Sequence, residues 1–198
     1  MVHKKKALAV DLLGNTYIAG HYADSSIDIG NVNLVNRGGK DILLYKLSSS
    51  SGEVVWVRSF GGDGDDHALH IAVDGAGGVY LSGISSSSSI SFPPITLHLS
   101  PRHQKLAFLA KLDASSGEAL WARTVIGKIE HLAGLVATGA DSISLAGRFR
   151  GANITVGELT LTNSVNSGYT STDGFLLRLV LSFRLLFEMS LSYGIIYV

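Results

Sequence analysis

The sequence predicts an all-β protein, organised as a β-propeller-like array of four-stranded antiparallel blades. Three observations lead to this fold class. Many serines and 23 glycines separate short apolar runs, which is typical of strands joined by tight turns. A pattern of about 64 residues repeats along the chain. Each copy contains four short strand candidates, the number of strands in one propeller blade.

The repeat consists of two blocks that recur in the same order. The first is an apolar strand that ends in aspartate, followed by a turn glycine, a tyrosine and a second glycine. The second is a Lys-Leu strand followed by glycine, glutamate and a tryptophan. We expect structural roles for all of them, with the aspartates in Asx-turns and the tryptophans packed between blades. These residues are Asp11, Gly14, Tyr17, Gly20, Gly52 and Trp56 in the first copy and Asp74, Gly77, Tyr80, Gly83, Gly117 and Trp121 in the second.

A third copy of the repeat is degenerate. It begins at Leu135 and reaches Gly147, but Ser144 stands in the position of the tyrosine. Its second block, residues 173–179, is followed by an apolar run that lacks the tryptophan. The predicted division is a basic tail at 1–6, unit one at 7–66, unit two at 67–130, degenerate unit three at 131–182 and an atypical apolar segment at 183–198.

Unit one shows how strands and turns alternate. Its strand candidates are residues 7–10, 16–20, 41–47 and 53–60. The last candidate carries apolar side chains on both of its faces. We therefore expect the sheet to be covered on both sides, as it is in a stack of blades.

A long connection joins the second and third strand candidates of each unit. In unit one it runs from 22 to 40 and contains alternating apolar residues that can form an extra ribbon. In unit two it spans 85–105 and begins with a serine run, which predicts a flexible loop. Loops at a fixed place in every repeat project from one side of the assembly, so this side is the expected binding face.

The composition excludes several classes of function. The chain has no cysteine, which excludes disulfides, thiolate metal sites and cysteine nucleophiles. Its 16 basic residues balance 16 acidic ones, so no nucleic-acid partner is expected. Arg178, Arg184 and Glu188 interrupt the apolar C-terminal stretch, so no membrane span is expected. No catalytic motif is found, and neither an enzyme nor a bound cofactor is predicted.

The densest polar cluster lies where unit one meets unit two. Asp63, Asp65 and Asp66 stand among glycines and are weak candidates for a Ca²⁺ site, because carboxylate oxygens are its usual ligands. Their spacing is not that of an EF-hand loop. The favoured interpretation is that Gly61 and Gly62 form a tight corner while the aspartates bond to backbone amides.

Two other polar sets have structural interpretations. His67 and His70 are three residues apart, so in a strand they face opposite sides and a metal shared between them is not expected. Lys46, Lys111 and Arg178 recur at one strand position. There they are expected to extend along the sheet or to pair with an aspartate of a neighbouring blade.

The combined motifs resemble the SBBP (beta-propeller) repeat family. The similarity covers residues 7–182 and includes both blocks of the repeat and the Gly-Gly-Asp-Gly-Asp-Asp corner at 61–66. Unit two lacks this corner, reading Val-Ile-Gly-Lys-Ile-Glu at 125–130. The resemblance implies a propeller built of many such repeats, extracellular or at the cell surface, and implies no reaction.

A second resemblance concerns the tryptophan block alone. The stretch from Lys111 to Trp121 is also similar to the tryptophan-docking repeat of PQQ-dependent quinoproteins, in which the tryptophan ties neighbouring blades together. The corner after unit one favours the SBBP repeat family.

Two clear blades and a degraded third are too few to close a propeller, which typically has at least four. We therefore expect a fragment of a longer repeat protein, which needs further blades or a second copy for closure. The expected function is non-catalytic binding of a protein or glycan partner through the loop face. A quinoprotein-like propeller enzyme and a purely structural spacer are the alternatives.

Overall fold

The computed structural model describes residues 4–99, 106–139, 142–156, 159–162, 172–180, 186–191 and 194–196. The protein is all-β, with 75% of its residues in strands, and the described ranges contain no helix. Its sheets are antiparallel, and none of them closes on itself. The predicted fold class is thus confirmed at the level of an all-β antiparallel protein. No helix in the described ranges is long and apolar enough to cross a membrane.

Unit one forms a four-stranded sheet in the order β1-β2-β5-β6. Asp11 and Gly14 close its first hairpin, and Gly52 lies in the turn of its second, at φ 70°. The connection between β2 and β5 forms the ribbon predicted from its alternating apolar residues. The strands are β1 (Lys4–Val10), β2 (Thr16–Tyr22), β3 (Ser26–Ile29), β4 (Val32–Val35), β5 (Asp41–Leu47) and β6 (Val54–Phe60).

Unit two begins a second, nine-stranded sheet that continues into unit three. Its main path is β7-β8-β11-β12-β13-β15-β16-β17, with β14 paired to β13 and β9 and β10 forming a separate ribbon. The strands are β7 (Asp66–Val73), β8 (Gly78–Ser85), β9 (Ser89–Phe92), β10 (Ile95–His98), β11 (Leu106–Asp113), β12 (Ala119–Gly139), β13 (Ser142–Val156), β14 (Leu159–Thr162), β15 (Thr172–Val180), β16 (Leu186–Leu191) and β17 (Gly194–Ile196).

Strand β12 crosses the boundary placed at 130/131 without a break. Its first part pairs with β11 up to Val125, and from Val125 onward it pairs with β13. The sequence explains the continuity, because residues 125–130 lack the glycine-rich corner that separates units one and two. The register shifts between Ile126 and Lys128, around Gly127 with φ 146°, because β13 has extra residues between their partners Thr155 and Arg150. Units two and three therefore share one sheet.

The strands of unit two are covered on both faces, as expected. Leu81 and Phe108 point into an apolar core shared with Tyr17, Leu44 and other side chains of the first sheet. The neighbouring positions on β8 and β11 point into a second core on the opposite face. That core is shared with unit three and includes Tyr80, Leu109, Leu145, Phe149 and Phe175. The second sheet thus folds over itself at β12, and unit three packs against unit two.

Candidate functional site

The turn after β1 is organised by the first repeated aspartate. Asp11 Oδ1 accepts hydrogen bonds from the backbone amides of Leu13 and Asn15, each at 2.9 Å. Its Oδ2 accepts from Tyr17 Oη at 3.1 Å and from the Asn15 side chain. Partial burial alone would raise the pKa of Asp11, but the bonds from Asn15, Tyr17 and Leu13 outweigh it and hold this pKa below its usual value.

The same arrangement recurs in unit two. Asp74 Oδ1 accepts from the amides of Ala76 at 2.9 Å and Gly78 at 2.7 Å, and Tyr80 Oη donates to Oδ2 at 2.9 Å. The predicted Asx-turns at Asp11 and Asp74 are therefore present. The repeated tyrosine has the additional role of fixing the aspartate, which the sequence pattern did not reveal.

Trp56 joins the first sheet to the second. Its indole Nε1 donates to the carbonyl of Ala114, in the β11–β12 turn, at 3.1 Å. Its ring packs closely against Gly117, since a Cβ added at Gly117 would lie 2.9 Å from the indole. Lys46 donates to the same Ala114 carbonyl at 3.0 Å and lies 3.9 Å from Asp11 of its own unit. The tryptophan thus packs between units, whereas Lys46 pairs with its own aspartate and not with one of the next unit.

The second tryptophan occupies a different environment. Trp121 is half-buried, with its ring centroid 6.3 Å from that of Tyr80, and it packs on the core shared with unit three. Trp56 lies at the matching position, 5.9 Å from Tyr17, but is 7% exposed. In both units the tryptophan therefore contacts the tyrosine of its own unit. Trp56 is the more deeply buried of the two because the hairpin of unit two covers it.

The junction of units one and two is a hydrogen-bonded corner, with a separate partner for each aspartate. Asp66 accepts from the Gly62 amide at 2.8 Å, and Asp63 accepts from the Ser88 amide at 2.6 Å. Asp65 pairs with Lys40 Nζ at 2.9 Å. Within the described ranges no group of three histidine, aspartate or glutamate side chains is arranged to hold a metal ion. The Ca²⁺ site at these aspartates stays an untested prediction.

The serine run after β8 is part of this corner, and the prediction of a flexible loop there is wrong. Ser87 is 5% exposed, and its hydroxyl donates to Asp66 at 2.8 Å and accepts from the Gly64 amide at 2.9 Å. Ser86 accepts from the Asp65 amide at 2.9 Å. The low-complexity serines are ordered because the corner presents carboxylates and amides that their small hydroxyls satisfy.

Two buried aspartates flank the corner. Burial raises the pKa of Asp41, against the opposing effect of Arg37, whose Nη1 lies 3.1 Å from the carboxylate. Burial also raises the pKa of Asp66, against its hydrogen bonds from serine hydroxyls and the Gly62 amide. Among the described residues, no hydrogen-bond partner reaches the buried Oδ1 atom of either carboxylate. The free energy of folding therefore becomes less favourable as the pH rises from the ordinary pKa of an aspartate through the higher pKa values of Asp41 and Asp66.

A histidine pair spans the same junction. The expected placement of His67 and His70 on opposite sides of a regular strand does not hold, because β7 has a register shift between Ala68 and His70 and the two histidines pair with Ile84 and Ser82 of β8. His67, at the start of β7, meets His21 at the end of β2. Their Nδ1 atoms are 3.3 Å apart, and the rings contact edge to face with centroids 4.5 Å apart. Sequence reasoning missed this pair because the two residues belong to different units and are brought together by the corner.

The two ribbons, β3-β4 and β9-β10, border a groove. This ribbon groove has a volume of ≈ 770 Å³. Its walls are β4, the end of β6, and the Pro93-Pro94 turn between β9 and β10. Val35 on its wall is 64% exposed. Its lining residues are Val32, Asn33, Leu34, Val35, Arg37, Val57, Arg58, Ser59, Phe60, Pro93, Pro94 and Glu118.

No family model matches the chain, and no curated protein matches it.

Proposed function

We propose that the chain is a non-catalytic β-propeller repeat module of the SBBP type, and that it binds a protein partner through the ribbon groove. The observation that carries the proposal is the pairing of ribbons from two successive units around one apolar groove. Each ribbon lies at the corresponding place in its repeat. The ribbons add surface beside the main sheets but do not pair with the strands of those sheets.

The stacking of the units supports the propeller part of the proposal. Strand β1 of unit one lies against β7 of unit two, and β7 in turn lies against β12. The first strands of successive units are therefore neighbours, as they are around the axis of a propeller. Trp56 ties unit one to the hairpin of unit two. The SBBP assignment itself rests on the repeated sequence motifs.

The edges of the groove favour an extended polypeptide as the partner. Within the described ranges β4 pairs only with β3, and β6 pairs only with β5. Both strands line the groove, so each has a backbone edge beside its apolar walls. An extended segment can add to such an edge through main-chain hydrogen bonds, while its side chains enter the apolar groove. Arg58 in the lining favours a segment that carries a carboxylate, whereas Arg37 is already paired with Asp41.

The test is binding of the full chain to a displayed library of extended peptides and to a glycan array. We expect binding to apolar peptides with an acidic residue, and a loss of at least about tenfold for Val35→Asp because it places a charge on the groove wall. Val136→Asp is the control, since Val136 is 57% exposed in β12 and does not line the groove. Binding that Val35→Asp leaves unchanged would contradict the groove as the site.

The two binding arrays and one absorbance measurement separate the alternative functions. Binding to glycans alone would replace the protein partner by a carbohydrate. Absence of binding on both arrays would favour a structural spacer. An absorbance spectrum with a quinone band in the protein purified after incubation with PQQ would favour the quinoprotein-like enzyme and contradict the non-catalytic module.

A further inference from the structure

The histidine pair at the junction of units one and two brings two imidazole nitrogens together. His21 lies in β2 and is 7% exposed, and His67 lies in β7 with 22% of its side chain exposed. Their Nδ1 atoms face each other at 3.3 Å. At least one of these nitrogens must carry a lone pair, because two N–H groups in this position would repel each other.

The separation of the two nitrogens matches the edge of a tetrahedral metal site. Zinc–nitrogen bonds of about 2.0–2.1 Å at a tetrahedral angle place two ligand nitrogens about 3.3–3.4 Å apart. The observed distance is 3.3 Å. A metal ion can therefore take the place of the proton shared by the two Nδ1 atoms, slightly to one side of the line between them. The strands that carry the two rings would not have to move apart.

A carboxylate stands at the opposite nitrogen of His67. Asp65 Oδ2 lies 3.9 Å from His67 Nε2, and Lys40 Nζ lies 2.9 Å from the same oxygen. A negative charge at this position favours the tautomer with hydrogen on Nε2, which leaves the lone pair on Nδ1. Carboxylates hold metal-binding histidines in this way in many proteins. At 3.9 Å Asp65 acts on His67 through its charge and not through a hydrogen bond, and it favours the tautomer that a metal ligand requires.

We propose that His21 and His67 bind a divalent transition-metal ion of the zinc class through their Nδ1 atoms, with Asp65 as a positioning residue. Imidazole nitrogen suits Zn²⁺ and Co²⁺ and is a poor ligand for Ca²⁺ and Mg²⁺. The described residues supply these two nitrogens and no third histidine, aspartate or glutamate arranged to coordinate the same ion. Water or a ligand completes the coordination, so the site is open.

The location gives the ion a structural consequence. His21 belongs to the first sheet and His67 to the second, so a bound ion cross-links the two sheets beside the corner. A ligand that binds the folded state alone stabilises it in proportion to the logarithm of its concentration above Kd. We expect Zn²⁺ to raise the Tm of the full chain, with one ion bound per chain.

The test is calorimetric titration of the full chain with Zn²⁺, repeated on His21→Ala, His67→Ala and Asp65→Asn, with far-UV circular dichroism as the check of folding. We expect one binding event, its loss in either histidine variant, and a several-fold weaker event in Asp65→Asn. His98→Ala is the matched control, because His98 is exposed on β10 and should leave binding unchanged.

A second measurement keeps the proposal testable if a histidine variant fails to fold. The visible absorption of Co²⁺ added to the unsubstituted chain reports tetrahedral coordination by intense bands. NMR of the imidazole nitrogens shows which ring atoms shift when Zn²⁺ is added. We expect the Nδ1 signals of His21 and His67 to shift. Absence of Zn²⁺ binding, shifts confined to other histidines, or binding retained in a folded His21→Ala or His67→Ala variant would overturn the proposal.

Discussion

Two glycines at the same repeat position have different neighbours, and the difference isolates one contact. Gly52 and Gly117 both have positive φ, at 70° and 73°. A Cβ on Gly52 would meet nothing within 4 Å, whereas a Cβ on Gly117 would press against the ring of Trp56. The backbone requirement is therefore common to both residues, and the contact with the tryptophan belongs to Gly117 alone.

We predict that Gly117→Ala is more destabilising than Gly52→Ala. The left-handed backbone costs each variant about 1–2 kcal/mol. Gly117→Ala should lose about 1–3 kcal/mol more, because the added methyl displaces the indole from the Ala114 carbonyl. The measurement is the free energy of unfolding in urea. Equal losses for the two variants would show that Trp56 does not dock on the hairpin of unit two.

Strand β12 shows how the loss of one short motif changes an element. Unit one ends in glycines and aspartates that form a corner, and a new sheet starts after it. The corresponding residues 125–130 contain a single glycine, so the chain continues as a strand with a register shift. The end of unit one is thus a break between two sheets, whereas the corresponding end of unit two lies within one continuous sheet.

We predict that peptides covering residues 126–132 show slow hydrogen exchange, similar to that of 119–125, because β12 is paired on both sides of Gly127. Exchange followed by mass spectrometry measures this. The β1–β2 turn at residues 11–15 serves as the rapidly exchanging reference. If 126–132 exchanged as fast as that turn, units two and three would be separated by a flexible corner.

The elements of unit one and the roles of its repeated aspartates could be predicted from local patterns. Strand candidates at 16–20 and 41–47 correspond to β2 and β5, because alternation and turn residues determine them locally. The hydrogen bonds of the serine run and the contact of the histidine pair could not be predicted in this way. The residues that they join lie 21 to 46 positions apart along the chain. Composition alone made the serines look flexible. Their order depends on carboxylates and amides contributed by another unit.

At the scale of the whole molecule, unit one presents an apolar surface that no described residue covers. Ala7 and Ala9 of β1 face the core, while Leu8 and Val10 between them are 61% and 54% exposed. Leu12 in the next turn is 86% exposed. An apolar surface of this kind is typical of a contact with another unit. It fits the expectation that further blades or a second copy pack here.

We predict that the purified chain self-associates and that Leu8→Asp weakens the association, because a carboxylate cannot be buried in an apolar contact without cost. Light scattering over a range of concentrations gives the mass. Thr96→Asp adds the same charge on the exposed side of β10 and serves as the control. A mass equal to one chain at every concentration would contradict both further packing on β1 and the incompleteness of the propeller.

The unbroken course of β12 also determines how the molecule transmits mechanical load. A force that enters through unit three passes into unit two along the covalent backbone of a single strand. Between units one and two it passes through the hydrogen bonds of the corner, the Trp56 contact with the hairpin of unit two and the shared apolar core. Under tension we therefore expect the first sheet to separate from the second before unit three separates from unit two, because units two and three share one hydrogen-bonded sheet.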